Sequence, residues 1–384
     1  MFVSQRVAAA RPLATTAMHG RVEALKAGGE EVIDFSIAIS HFPAPASVRA
    51  CIAAAAGAAA LPYTGVGGAP ALRASLAHKV AQDNRIDAAP DEIIVTNGAK
   101  QALYEAMYVL TDPGDTVIVF KPHWPAYVAT AELLNLKVVL VDLPEVLHAA
   151  LLDSLPPARL IIINNPHNPT GKVYSAAELH VLGDWMGRTG CHAIVDESYE
   201  KLLFRGEHRS LASRPDWRAL GVVTLFSASQ SYAMMGWRSG FAVAPRHIVQ
   251  AMETLQGPIT AAASALTQAA TGAAFASGEP TALVNDYRAR RDMVVARFAP
   301  LPWIRMASPD SGPYLWGDVG ALDCDTVAFA EDLLTEKRVA IMPGDALGCP
   351  GFIRLGFISD DVDTLMTGVA RLIDFGNARA ARKA

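Results

Sequence analysis

Seven short apolar runs through the middle of the chain constrain its fold more than any other feature. They are EIIVT (92–96), TVIVF (116–120), KVVLVDL (137–143), LIIIN (160–164), HAIVD (192–196), VVTLF (222–226) and FAVAP (241–245). Most are β-branched and apolar throughout, which suits strands buried on both faces. Helical patterns lie between several of them, at 99–110, 126–135 and 176–189. Such alternation predicts an α/β fold, a mostly parallel sheet covered by helices.

Both ends read differently. Residues up to about Pro45 and beyond about Asn285 carry fewer continuous apolar runs. The later part mixes a long helix, short strands (304–307, 314–318, 352–357) and a last helix. A smaller α+β domain built from both termini (1–45 and 286–384) is therefore expected beside a large domain of 46–285. No internal repeat or low-complexity linker interrupts the chain.

With 384 residues, 51% hydrophobic and 18% charged, the sequence describes a soluble globular protein with a large core. A net charge of −5 gives no reason to invoke nucleic acid or an anionic membrane. The cluster Arg288, Arg290 and Arg291 is flanked by Asp286 and Asp292 and reads as a solvated helix face. Arg379, Arg382 and Lys383 read as a frayed terminus. Cys51, Cys191, Cys324 and Cys349 are scattered, so neither a metal site nor a disulfide framework is expected. The opening MFVSQRVAAARP lacks a signal peptide's apolar run, and the alanine-rich stretch 53–61 is too short to span a bilayer. The default location is the cytoplasm.

Several motifs fall where these strands end. Asn97, Gly98, Ala99 and Lys100 follow one strand and open a helix; exposed amides at such a start can hold an anion, though an ordinary turn looks the same. Trp124 follows the next strand and offers a flat face, as a core Trp also would. The run NNPHNPTG (164–171) has two Asn-Pro steps, which fix a non-helical turn and can aim the Asn168 amide. Asp196 ends another strand, where open α/β sheets bind ligands, and Tyr199 follows three residues on. The segment FSASQSYAMMGWRSGF (226–241) brings Ser227, Ser229, Gln230 and Arg238.

Together, in this order and spacing, the motifs resemble the fold-type I enzymes of pyridoxal 5′-phosphate (PLP), the class I/II or aspartate aminotransferase family. The resemblance runs from about Ser4 to the last helix. It implies a phosphate cup of Gly98, Ala99, Lys100, Ser227, Ser229 and Arg238. It implies Trp124 stacked on the pyridine ring, Asn168 and Tyr199 at the 3′-oxygen, and Asp196 on the ring nitrogen. There Asp196 would keep the ring protonated and able to accept the carbanion's electrons. Tyr63, in YTGVGGAPALR, matches a Tyr that serves the neighbouring subunit's phosphate, which implies a homodimer. Arg354, in FIRLGF, matches the Arg that clamps the α-carboxylate of an α-amino acid substrate.

Two departures stand out. The family's Schiff-base Lys is replaced by Gln230, whose carboxamide cannot form an imine. The segment Ile37 to Pro43 replaces a usual G-x-P-x-F, with Ala38, Ser40 and His41 at changed positions. A changed substrate pocket around Ala38 is one reading of it, and drift in a loop is another.

The resemblance implies an enzyme acting on an α-amino acid through an external aldimine and Cα carbanion, disabled here at Gln230. An engineered Lys-to-Gln change is favoured over natural loss, because the other cofactor-holding residues are intact. Elimination or replacement at Cβ or Cγ is an alternative chemistry. A non-catalytic protein that binds PLP or an amino acid is the alternative from another class.

Overall fold

The computed structural model describes residues 3, 4, 7, 10 and 12–383. Most of the opening segment read above for a leader therefore lies outside the described residues. Among those described, seven strands form one sheet. They are β1 (Ile93–Thr96), β2 (Thr116–Lys121), β3 (Lys137–Asp142), β4 (Leu160–Asn164), β5 (His192–Asp196), β6 (Val222–Ser227) and β7 (Gly240–Val243). Their order is β1-β7-β6-β5-β4-β2-β3. Only β7 runs against its neighbours; the other pairs are parallel.

The apolar runs explain this layout. Every residue of β1, β4, β6 and β7 is buried, so each strand is covered on both faces. The edge strand β3 alternates partly buried and exposed positions instead. Helices cover both faces and are set by local signals. In the helix Ala176–Thr189, Ser175 and Glu178 form a reciprocal capping box, and Gly190 ends it in the left-handed conformation. The sheet divides its core in two: Ile161, Ile163 and Val195 face one side, Ile162 and Ile194 the other.

A further core lies outside the sheet. Phe35 and Ala38 pack there with residues of the long helix Thr281–Phe298 and of the last helix Val362–Lys383. Its short sheet pairs Tyr314–Asp318 with Phe352–Gly356 and Arg305–Met306. Near the N-terminus, Ile33–Asp34 pairs in parallel with Val339–Ala340.

Two expectations are corrected here. Arg290 and Arg291 are buried, not solvated. Arg290 pairs with Asp286 at 2.7 Å, and Arg291 donates to the Pro309 carbonyl at 2.9 Å. The chain end is helical to residue 383, and Arg379 is held by Asp332 at 2.7 Å and lies over the Phe375 ring.

Candidate active site

The parallel strands all end on one edge of the sheet, and a cavity of about 460 Å³ opens there. Asn164 ends β4, Asp196 ends β5 and Ser227 ends β6. Ala99, Lys100, Trp124, Asn168, Tyr199, Ser229, Gln230, Arg238 and Arg354 also line it. Residues distant in sequence thus meet because parallel strands bring their carboxyl ends together.

Asp196 is buried. Its carboxylate accepts hydrogen bonds from the Tyr127 hydroxyl (2.8 Å), the Ser198 hydroxyl (2.6 Å) and the Ser198 amide (3.0 Å). Burial pushes its pKa up, against the pull of those three donors. Among the described residues it has no cationic partner. A buried carboxylate in this state favours a cation placed beside it.

At the other end the charges are positive. Gly98 takes φ 83° and caps the helix Ala99–Leu110 with no side-chain hydrogen bond to its first amides, and Ala99 and Lys100 of that first turn line the cavity. A Cβ on Gly98 would stand 2.5 Å from Arg238 Nη2, so the glycine lets the guanidinium lie against the turn. Arg238 donates to the Met235 carbonyl at 2.8 Å. Partial burial, and then the Arg238 charge, lowers the Lys100 pKa. Ser227 Oγ accepts from the Ser229 amide at 3.1 Å. Two cations, free helix amides and two serines form an anion site.

Arg354 closes the third side. It is buried and lies over the Tyr314 ring, 4.1 Å from its centroid. Its Nη2 donates to the Ser36 carbonyl at 2.6 Å and its Nη1 approaches Asn168 Oδ1 at 3.4 Å, while Nε has no partner. Among the described residues no carboxylate pairs with it. Asn168 is fixed in turn: its amide donates to Asn164 Oδ1 at 2.7 Å and its Nδ2 to the Tyr199 hydroxyl at 3.2 Å.

Three proposed positions lie outside this group. Tyr63 is 94% exposed and touches nothing in its own chain's cavity. Gly98 shapes the cup from behind the lining. Ala38 is buried and lines an adjoining apolar cavity, where its carbonyl accepts from Gln230 Nε2 at 3.4 Å. Ser40 and His41 turn away toward the long helix instead. The Tyr287 hydroxyl donates to Ser40 Oγ at 2.7 Å, and His41 lies 3.4 Å from Asp286.

Sequence reasoning missed Tyr127, Ser198 and Tyr314. Ser198 lies between Asp196 and Tyr199, which the sequence did mark; Tyr127 and Tyr314 gave no spacing signal. No metal site was expected; among the described residues Glu197, Glu200 and His208 bring their ligand atoms within 4.8 Å of one another, just past the strand end at Asp196. Lys79 already pairs with Glu200 there.

A sheet of this topology, with an anion cup and a lone buried carboxylate across one cavity, defines an aspartate aminotransferase-like fold. The aminotransferase class I and II family model matches residues 30–369. An aspartate aminotransferase of Geobacillus stearothermophilus is 33% identical, covering 99% of this chain and 100% of that protein. An aspartate/prephenate aminotransferase of Nitrosomonas europaea is 30% identical over 97% and 99%. The Thermus thermophilus aspartate aminotransferase solved with maleate superposes with a TM-score of 0.92 at 30% identity, over 98% and 100%. The chain belongs to the class I and II aminotransferases, whose cofactor is PLP.

The residues present fit that cofactor. The anion cup suits its phosphate, the unpaired Asp196 its ring nitrogen, and Trp124 offers a ring face. Gln230 alone departs from what a covalent attachment needs.

Proposed function

We propose that this chain binds PLP without a covalent link and holds an α-amino acid beside it, with its catalytic half missing at Gln230. The bound cofactor supplies an electron sink for the substrate's Cα. Asp196 would hold the ring nitrogen in its protonated state, and Tyr127 and Ser198 would keep Asp196 ionised. Asn168 and Tyr199 would fix the ring's tilt through its 3′-oxygen. Gly98, Ala99, Lys100, Ser227, Ser229 and Arg238 would grip the phosphate, with Tyr63 reaching in from a second copy in a homodimer.

Arg354 would clamp the substrate's α-carboxylate; its buried, unpaired guanidinium is the observation that carries this reading. Aspartate is the first substrate to test. Relatives are named for it. Gln230 can neither form an imine nor move the Cα proton. Losing such a base commonly slows a reaction by roughly 10²–10⁴-fold.

The division into 1–45 with 286–384 and 46–285 belongs to the same proposal, supported by the separate core around Phe35 and the last helix. Among the described residues no helix is long and apolar enough to cross a membrane, which fits the proposed cytoplasmic location. The test is direct. The protein should take up PLP that dialysis removes, and borohydride should leave residue 230 unmodified. Gln230→Lys should then retain PLP covalently and transfer the amino group of aspartate to a 2-oxo acid. Failure of both proteins to bind PLP would sink the proposal.

A further inference from the structure

The helix Ala99–Leu110, whose first turn lines the anion cup, also carries Glu105, which is fully buried. A chain of hydrogen bonds joins the two. Gln101 Nε2 donates to Glu105 Oε1 at 2.7 Å. Gln101 Oε1 accepts from the amide and from Nδ2 of Asn97, each at 2.9 Å. The Asn97 carbonyl accepts in turn from Arg238 Nη2 at 3.4 Å. The other oxygen of the acid, Oε2, has no partner among the described residues. A charged carboxylate so placed is unfavourable, and a proton removes the charge.

The surroundings supply no cation to replace that proton. Of the elements packed against this helix, Arg246–Thr260 carries Arg246, His247 and Glu253, and Pro125–Leu133 carries Tyr127 and Glu132. Strand β5 carries His192 and Asp196, while β1, β6 and β7 carry no titratable or charged residue. Lys100, Tyr104 and Tyr108 share the helix itself. Burial raises the Glu105 pKa to about 7 and the Gln101 bond opposes the rise; none of those other groups contributes.

We propose that a proton on Glu105 and an anion in the cup stabilise each other, so that this acid sets the alkaline limit of phosphate binding. The inference rests on the cup being the cofactor's phosphate site. Glu105 lies six residues beyond Ala99, about 9 Å of helix rise. Unit charges about 10 Å apart, at an effective dielectric constant of about 20, alter a binding constant on the order of tenfold. Binding is therefore full while Glu105 keeps its proton and weakens as pH rises through about 7. It levels off above the higher pKa that the acid has in the complex. By reciprocity, an anion entering the cup draws a proton onto Glu105.

Calorimetric titration of the full-length protein with sulfate, at constant ionic strength, tests this. Sulfate stays a dianion over the whole range, so its own charge adds no pH dependence. Lys100, whose pKa is lowered, is common to parent and variants, so the difference between them is the reading. From pH 6 to pH 9 the parent's affinity should fall roughly tenfold more than that of Glu105→Gln or Glu105→Leu, neither of which can ionise. Repeating the titration at pH 7.5 in two buffers of different ionisation heat counts protons. The parent should take up about half a proton more per sulfate than either variant. An equal fall in affinity, or equal uptake, would overturn the inference and leave the cup in place. If neither variant folds, the parent's own count decides, and no uptake at pH 7.5 overturns the inference. Sulfate that does not bind the parent, or that PLP does not displace, would overturn the reading of the cup as well.

Discussion

The Tyr127 hydroxyl donates to Asp196 Oδ2 at 2.8 Å, and both residues are buried. Tyr127 belongs to the helix Pro125–Leu133, which Pro125 starts directly after Trp124. One turn of chain thus supplies both a ring face for the cofactor and a donor for its carboxylate partner. Trp124 and Tyr127 meet edge to face, with ring centroids 5.4 Å apart.

Tyr127→Phe tests the Asp196 network. The change removes one of the donors that oppose the effect of burial on Asp196, so the carboxyl pKa should rise further. Asp196 must be ionised to hold a protonated ring. Cofactor affinity is therefore lost as pH falls through the Asp196 pKa. That acidic limb should move to higher pH in Tyr127→Phe, and affinity at neutral pH should fall roughly fivefold. Titrating cofactor binding against pH by fluorescence reads both effects. An unmoved limb would mean that another group sets it.

Arg354 carries a prediction of opposite signs for stability and binding. A buried guanidinium without an anionic partner is unfavourable to the free protein. Arg354→Met should therefore be more stable than the parent by about 1–2 kcal/mol and unfold at a higher temperature. The same variant should lose a carboxylate ligand such as maleate by at least about 2 kcal/mol, roughly thirtyfold. Calorimetry provides both numbers. A variant that is less stable and still binds maleate would remove Arg354 from the site.

Gly98→Ala addresses the anion cup. The added Cβ must accept a φ of 83° and would stand 2.5 Å from Arg238 Nη2. The strained turn should cost about 1–2 kcal/mol of stability, and the displaced guanidinium should loosen phosphate-bearing ligands. Inorganic phosphate and pyridoxamine 5′-phosphate should both weaken, while pyridoxamine without its phosphate should not. A uniform loss across all three would point to a general distortion.

The strand runs were legible because strands buried on both faces must be apolar throughout. The expected 160–164, 192–196 and 314–318 match the observed strands residue for residue. Ends were less legible: FAVAP (241–245) becomes Gly240–Val243, since Pro245 cannot join a ladder and instead precedes the helix Arg246–Thr260. Short motifs marked Asp196 and Arg354 because their neighbours carry a pattern. Tyr127 and Tyr314 stayed hidden because a tyrosine on a helix or strand looks like core until the partner across the fold is known. Arg290 and Arg291 were misjudged for the same reason. Flanking aspartates suggested water, whereas Ser359 and Pro309, distant in sequence, offer carbonyls to bury them.

Glu105 gives the last prediction. It is buried on the helix Ala99–Leu110, the helix whose first turn forms the anion cup. Gln101 Nε2 donates to Glu105 Oε1 at 2.7 Å, and Oε2 has no partner among the described residues. Burial pushes its pKa from 4.5 up to about 7, with the Gln101 bond pulling weakly the other way. The folded protein thus holds the proton more tightly than the unfolded chain does. Its contribution is fully present below pH 4.5, declines as the unfolded chain ionises, and is gone once pH rises through about 7. Between about pH 5 and pH 8 this one group should lower stability by about 2–3 kcal/mol. Glu105→Gln keeps the shape and cannot ionise. Urea unfolding at both pH values should show the variant losing correspondingly less than the parent over that interval. Because other buried acids titrate in both proteins alike, the difference between the two isolates Glu105. Equal pH dependence in parent and variant would show that Glu105 ionises at its ordinary pKa.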